Sequence, residues 1–211
     1  MKSPAKIAIL ISGGLDSAIL TSELLKSNSL VQPIYIKSGH VWEPTEFYWL
    51  KRYLKAIANR RLAKLVCLSL ETKDLYEGHW SVTGKKTPSD KSDDAEVYLP
   101  GKNLLLITKA AVYCSLNQIP ALVLGPLKTN PFPDAKASFF QNLGKVCSEG
   151  LHFKLKIRTP FLDRTKQEVM ALGKNLPLHL TFSCLAPVGL RHCGKCNKCA
   201  ERKKAFQSIT P

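Results

Sequence analysis

The stretch Ile7-Ala8-Ile9-Leu10-Ile11-Ser12-Gly13-Gly14-Leu15-Asp16-Ser17 decides the fold. Five consecutive apolar residues, three of them β-branched, suit a short strand buried on both faces. Ser12-Gly13-Gly14 breaks the run. Beyond it Leu15, Ile19, Leu20 and Leu24 recur at helical spacing over 15–26. A buried strand that turns through glycines into a helix is the start of an α/β unit. Two glycines let the backbone turn sharply and approach a ligand, and the helix start offers unpaired N–H groups with positive dipole. That chemistry suits a pyrophosphate, with Ser12 and Ser17 adding hydroxyls. Asp16 would repel phosphate directly, so it should bind loop N–H groups or hold Mg²⁺. No Gly-Lys-Ser/Thr ending follows the glycines, which argues against a P-loop kinase or ATPase.

The alternation continues outward. Strands are expected at 33–36, 65–70 and 121–125, with a short edge strand at 155–158. Helices are expected at 44–58, from about 102 to 118, at 137–146, at 165–173 and at 196–208. Thr165 with Glu168 three residues on is a capping-box signature. Strands alternating with helices imply a doubly wound parallel sheet, whose ligands gather at the carboxyl ends of the strands. Between 71 and 97 periodicity dissolves. Residues 81–95 are polar and read as a mobile loop, an active-site lid or a disordered segment. No internal repeat is visible. Trp42, Trp49 and Trp80 are core or lid residues by default, one of which can stack on a purine. His40 and His79 read as core or surface residues rather than catalysts.

The 211 residues carry a formal net charge of +15, with 45% hydrophobic and 22% charged residues. The length suits one core with a small appendage, read as an α/β domain over 1–180 and a C-terminal segment over 181–211. No apolar run approaches the ~20 residues of a membrane helix, and the N-terminus lacks the long apolar region of a signal peptide. The chain reads as cytoplasmic. The charge favours an anionic partner without identifying it.

Cys67, Cys114 and Cys147 stand alone, whereas Cys184, Cys193, Cys196 and Cys199 crowd together. In a cytosolic chain such crowding argues for metal rather than disulfides. Four thiolates suit a closed, structural zinc site, with Gly194 permitting the tight turn. An iron–sulfur cluster is the competing metal by spacing alone. His192 reads as a bystander beside Cys193.

Ser12 to Ser17 matches the Ser-Gly-Gly-x-Asp-Ser motif of the PP-loop ATP pyrophosphatases, which have an adenine nucleotide alpha hydrolase-like fold. That resemblance implies cleavage between the α and β phosphates and transfer of AMP to an acceptor oxygen. With Pro100-Gly101-Lys102-Asn103, Pro133-Asp134, the stretch 159–168, Thr181-Phe182-Ser183-Cys184 and the Cys-x8-Cys-x2-Cys-x2-Cys ending, nearly the whole chain resembles the 7-cyano-7-deazaguanine synthase family. The resemblance implies an ATP-dependent carbon–nitrogen ligase of queuosine biosynthesis, converting 7-carboxy-7-deazaguanine and ammonia through an amide to the nitrile. It implies ATP, Mg²⁺ and Zn²⁺ as cofactors, a homodimer, and no requirement for nucleic acid.

By the same resemblance Ile11, Ser12, Gly13, Gly14, Leu15, Asp16, Ser17 and Ala18 hold the nucleotide. Asp16 and Ser17 are catalytic candidates with Lys102, Asp134 and Asp163. Lys102 stands where the family usually has arginine and is a candidate for ATP phosphates or the substrate acid. Asp134 and Asp163 are candidates for substrate or Mg²⁺ contacts. The acceptor side departs from the pattern. Ala135-Lys136-Ala137 replaces the usual Cys-Arg and glutamate, and Ser38-Gly39-His40 replaces Tyr-Gly-Gln. Transfer of the acyl group to another amine, such as a protein, is therefore one alternative. The others are a tRNA-modifying PP-loop enzyme, favoured by charge alone, and a non-catalytic scaffold.

Overall fold

The structure, a computed structural model describing residues 5–27 and 29–208, is built on five parallel strands. They are β1 (Lys6–Leu10), β2 (Leu30–Lys37), β3 (Val66–Ser69), β4 (Ala121–Val123) and β5 (Lys156–Arg158). Their order is β3-β2-β1-β4-β5. Ile9 lies beside Pro33 on one flank and Val123 on the other. The strand order reverses between β1 and β4, so a crevice opens there at the carboxyl end of β1. The Ser-Gly-Gly turn follows directly.

Pro33 sits inside β2, where a proline has no N–H to give the ladder. The sheet accommodates it with a local bulge. Val31 bridges Leu62, and regular pairing resumes only at Ile34 with Val66. Val31 exchanges both of its backbone bonds with that side, through Arg61 and Ala63, so Pro33 two residues on also faces it. The Gln32 side-chain amide donates to the Lys64 carbonyl at 2.7 Å across the gap.

Among the described residues the α-helices are α1 (Leu15–Leu25), α2 (Glu43–Ala56), α3 (Trp80–Thr83), α4 (Lys102–Leu116), α5 (Ala137–Gly150), α6 (Lys166–Leu172) and α7 (Asn197–Gln207). Strand alternation sorts them. Ala8, Ile34, Ile36 and Leu122 face α4 and α5, packing on Ile107, Ala111, Phe140 and Leu143. Ile7, Ile9, Val31 and Val123 face the other way, onto Ile19 and Leu20 of α1 and Val169 and Met170 of α6. Leu50 and Tyr53 of α2 pack beside them on Ile11 and Tyr35. This is the expected doubly wound arrangement. No helix among the described residues is long and apolar enough to cross a membrane.

The segment read as a lid or disordered stretch is ordered differently. It contains α3 and a 3₁₀ turn over Asp94–Val97. Between them residues 88–94 form a strap across the start of α7. Asn197 N–H donates to Pro88 O, Asp90 N–H to Lys195 O, and the Asn197 side-chain amide to Ser92 O and Asp94 Oδ1. Its polar composition serves these bonds, which leave no period to read.

Candidate active site and metal centre

The loop after β1 closes on itself. Ser12 N–H donates to Ser17 Oγ at 3.2 Å, and Ser17 Oγ donates to the Gly14 carbonyl at 3.2 Å. Gly13 adopts φ +80°, and a Cβ there would stand 3.3 Å from Leu50 Cβ and 3.4 Å from the Glu46 carbonyl oxygen. Glycine is needed on both counts. The Gly13 carbonyl accepts from Phe182 N–H at 2.8 Å, tying the loop to the start of the cysteine segment. Ile11, Leu15 and Ala18 point their side chains into the core. What they offer a ligand is backbone, at a helix start whose first N–H groups have no carbonyl to meet.

Of the two alternatives for Asp16, bonding to the loop N–H groups does not occur among the described residues. Both its oxygens accept from Lys166 Nζ, at 2.7 and 2.8 Å. Lys166 also meets Glu201 at 2.9 Å, and Glu201 meets Lys198 at 2.6 Å. This charge chain joins α1, α6 and α7. Burial raises the Asp16 pKa above the usual carboxylate range, with Lys166 opposing. Burial works against Lys166 as well, yet Asp16 and Glu201 together hold it above the ordinary lysine value. Glu201 is also penalised by burial, but its two lysines pull it down to about 2. The capping box forms as expected, with Thr165 Oγ1 accepting from Glu168 N–H and Glu168 Oε2 from Thr165 N–H. It fixes Lys166 as the first residue of α6.

A cavity of about 410 Å³ runs from this loop to a second wall. Lys102, first in α4, reaches in with Nζ 5.2 Å from the Trp42 ring centre. Burial lowers its pKa, against the pull of Glu46 and Glu43. Asp134 is buried, its Oδ2 accepting from Asn103 N–H at 3.1 Å, while Oδ1 has no partner. Trp42 and Trp80 stack at 5.7 Å and add a flat aromatic surface. His40 stacks behind Trp42 at 4.6 Å, and burial lowers its pKa to about 3. His79 is spent on α3, its Nδ1 accepting from Ser81 N–H. Asp163 is exposed beyond β5 and does not line this cavity.

Glu46, Lys166, Lys198 and Glu201 were not singled out from sequence. Lys166 lies within the family-like stretch 159–168, the one signal available. The others meet their partners only through the fold.

The four cysteines come together as expected. Their sulfurs all lie within 4.8 Å of one another. Cys193 and Cys199 are 3.9 Å apart, and Cys184 and Cys196 4.0 Å. A tetrahedral zinc at ~2.3 Å from each sulfur would space them by ~3.8 Å, so the donor set fits that ion. Backbone N–H groups of Cys193 and Leu185 point at the Cys184 and Cys196 sulfurs, at 3.3 and 3.5 Å. His192 stands aside. Its Nε2 accepts from Ser183 N–H and its ring lies on Phe182. Trp49 Nε1 and Thr45 Oγ1 of α2 hold the intervening hairpin at Leu190 O and Gly189 O.

Sheet order, loop and cysteine centre together define a PP-loop α/β protein with a metal-competent C-terminal cluster. A solved structure described as a "predicted subunit of tRNA methyltransferase" from Methanocaldococcus jannaschii has the same fold. It aligns with TM-score 0.53 and 16% identity over 81% of this chain and 74% of that one. The family is more particular: the model described as Queuosine biosynthesis protein QueC matches residues 6–210, and the chain belongs to that family. It is 28% identical over 207 residues to 7-cyano-7-deazaguanine synthase 1 of Desulfitobacterium hafniense (strain Y51), covering 96% of this chain and 91% of that protein. It is 29% identical over 218 residues to 7-cyano-7-deazaguanine synthase of Leptospira interrogans serovar copenhageni, covering 96% and 86%.

Proposed function

We propose that this protein uses ATP to adenylate 7-carboxy-7-deazaguanine and lets ammonia displace AMP, first to the amide and then, after a second activation, to the nitrile. The observation that carries the reading is one cavity joining a pyrophosphate-type loop to an aromatic wall bearing Lys102 and Asp134. A carboxylate is a poor electrophile because its leaving group would be oxide. Adenylation replaces oxide with a phosphate monoester.

In this reading the backbone of residues 11–18, with the Ser12 and Ser17 hydroxyls, holds the nucleotide's phosphates. Lys102 meets the substrate acid or the phosphate next to it, and its buried position strengthens that attraction. Trp42 and Trp80 offer a face for a flat bicyclic ring. Asp134, bonded to the Asn103 N–H and side-chain amide, positions the start of α4 and with it Lys102. Asp16 keeps Lys166 beside the loop and is the loop's own carboxylate for the Mg²⁺ that accompanies ATP. A zinc ion on the four cysteines would supply no reaction step. It would fix residues 181–208 as a staple under the loop.

We further infer a cytoplasmic enzyme acting on free small molecules. Leu104, Val112 and Leu116, exposed at helical spacing on α4, offer an apolar strip to a second copy.

The test is incubation of zinc-loaded protein with 7-carboxy-7-deazaguanine, ammonia and ATP·Mg²⁺, followed by mass spectrometry. Nitrile, AMP and pyrophosphate are expected. Release of ADP and phosphate, or an untouched acid, would sink the reading.

A further inference from the structure

Three carboxylates stand in the cavity wall. Asp16 has both oxygens on Lys166. Asp134 uses one oxygen to anchor the Asn103 N–H, and the other is sealed from solvent. Glu46 is different. Its one side-chain hydrogen bond comes from the Tyr35 hydroxyl at 3.4 Å, and it forms no ion pair among the described residues. It stands one turn into α2 and packs on the loop itself, since a Cβ on Gly13 would lie 3.4 Å from Glu46 Cγ.

That position matters for the step after adenylation. The acyl carbon of an adenylate is one oxygen away from the α-phosphorus, so a loop that holds phosphates also places that carbon near its own glycines. Ammonia attacking there becomes a cationic nitrogen that must lose a proton before AMP can depart cleanly. Resting on the adenylation reading above, we propose that Glu46 is the catalytic base that takes this proton from the attacking ammonia. The nitrogen lone pair forms the C–N bond, one N–H proton passes to the Glu46 carboxylate, and AMP leaves with the electron pair of the C–O bond. The protonated carboxyl then returns its proton to water.

Its surroundings suit the task. Burial raises the Glu46 pKa to about 8, with Lys102 opposing and Glu43 adding to the shift. The groups facing it are Tyr35 from β2, Glu43 from its own helix and Lys102 from α4. A base is most effective when its pKa lies near the working pH. The ammonia step should therefore accelerate as pH rises through the region of 8, where the carboxyl ionises.

The experiment separates the two half-reactions in the zinc-loaded full chain. ATP–pyrophosphate exchange with 7-carboxy-7-deazaguanine, run without ammonia, reads adenylation alone. Amide formation with ammonia reads the second step. Glu46→Gln should keep exchange within about two-fold of wild type and lower amide formation about 100-fold. Glu46→Asp, which retains the acid one methylene back, should fall between. Amide formation at the wild-type rate in Glu46→Gln would overturn the assignment, as would an equal fall in both half-reactions. Wild-type protein that shows no exchange with this acid would overturn the substrate reading, and the assignment with it.

Discussion

Gly13 carries three demands in one residue: a left-handed backbone, a close neighbour in α2, and a carbonyl claimed by Phe182. Gly13→Ala keeps the carbonyl but adds a Cβ to a position with φ +80°. A cost of about 1–2 kcal/mol to stability is expected from the left-handed strain alone, read as a shift in the urea midpoint. Because Leu50 Cβ and the Glu46 backbone cannot both retreat, the loop itself should shift. ATP affinity, read by titration calorimetry, should then fall by more than the stability change implies. A variant that binds ATP as wild type does would show that the loop tolerates the displacement.

The turn that carries Gly13 is also where sequence was most legible. Ile7 to Ile11 is a run whose apolar, β-branched character needs no partner to be read, and the glycines that follow are local punctuation. Asp16 shows where legibility stops. Its partner lies 150 residues away, and no local pattern announces a lysine that answers it. Glu46 was hidden for a related reason. On α2 it is one of two acids in the first turn until β2 and α4 close around it. Asp163 shows the reverse case, an acid in a family-like stretch that is exposed and outside the cavity wall.

At the scale of elements, α1, α6 and α7 are held by charge as well as by apolar packing. Glu201 sits between Lys166 and Lys198, and its pKa is depressed from about 4.5 to about 2. A carboxylate with a depressed folded-state pKa adds stability that is fully present above its unfolded value and is lost as pH falls through the folded one. The contribution should therefore fade between about pH 4.5 and 2. Asp16, raised by burial, runs the other way, so the informative quantity is the difference between wild type and Glu201→Gln. Thermal unfolding across that window should show the two converging as pH falls. Parallel curves would mean the ion pairs contribute nothing measurable. The capping box tests the same region more locally. Thr165→Ala should cost about 1 kcal/mol and loosen Lys166, raising the mobility of the Asp16 partner as seen by hydrogen exchange at the start of α6.

For the whole molecule, the cysteine cluster decides how far order spreads. The strap over residues 88–94 is bonded to Lys195, Cys196 and Asn197, next to or among the clustered sulfurs. Its polar, aperiodic sequence read as loose because its order is borrowed from those contacts. One metal ion per chain is expected by elemental analysis. Stripping it with a chelator, or Cys199→Ser, should lower the melting temperature and expose the strap. Trypsin should then cut faster at Lys91, within the strap, than it does in the metal-loaded protein. An unchanged digestion pattern after complete metal removal would mean the strap holds without the cluster.

The bond from Phe182 N–H to the Gly13 carbonyl, with Lys166 reaching Asp16, has a consequence during synthesis. A chain still emerging from the ribosome displays the loop at residues 12–17 well before the groups that bond it, which follow 150 or more residues later. Until then, a nascent or prematurely terminated product lacks both of these bonds to the loop. The loop's last bond arrives with the same segment that brings the thiol cluster.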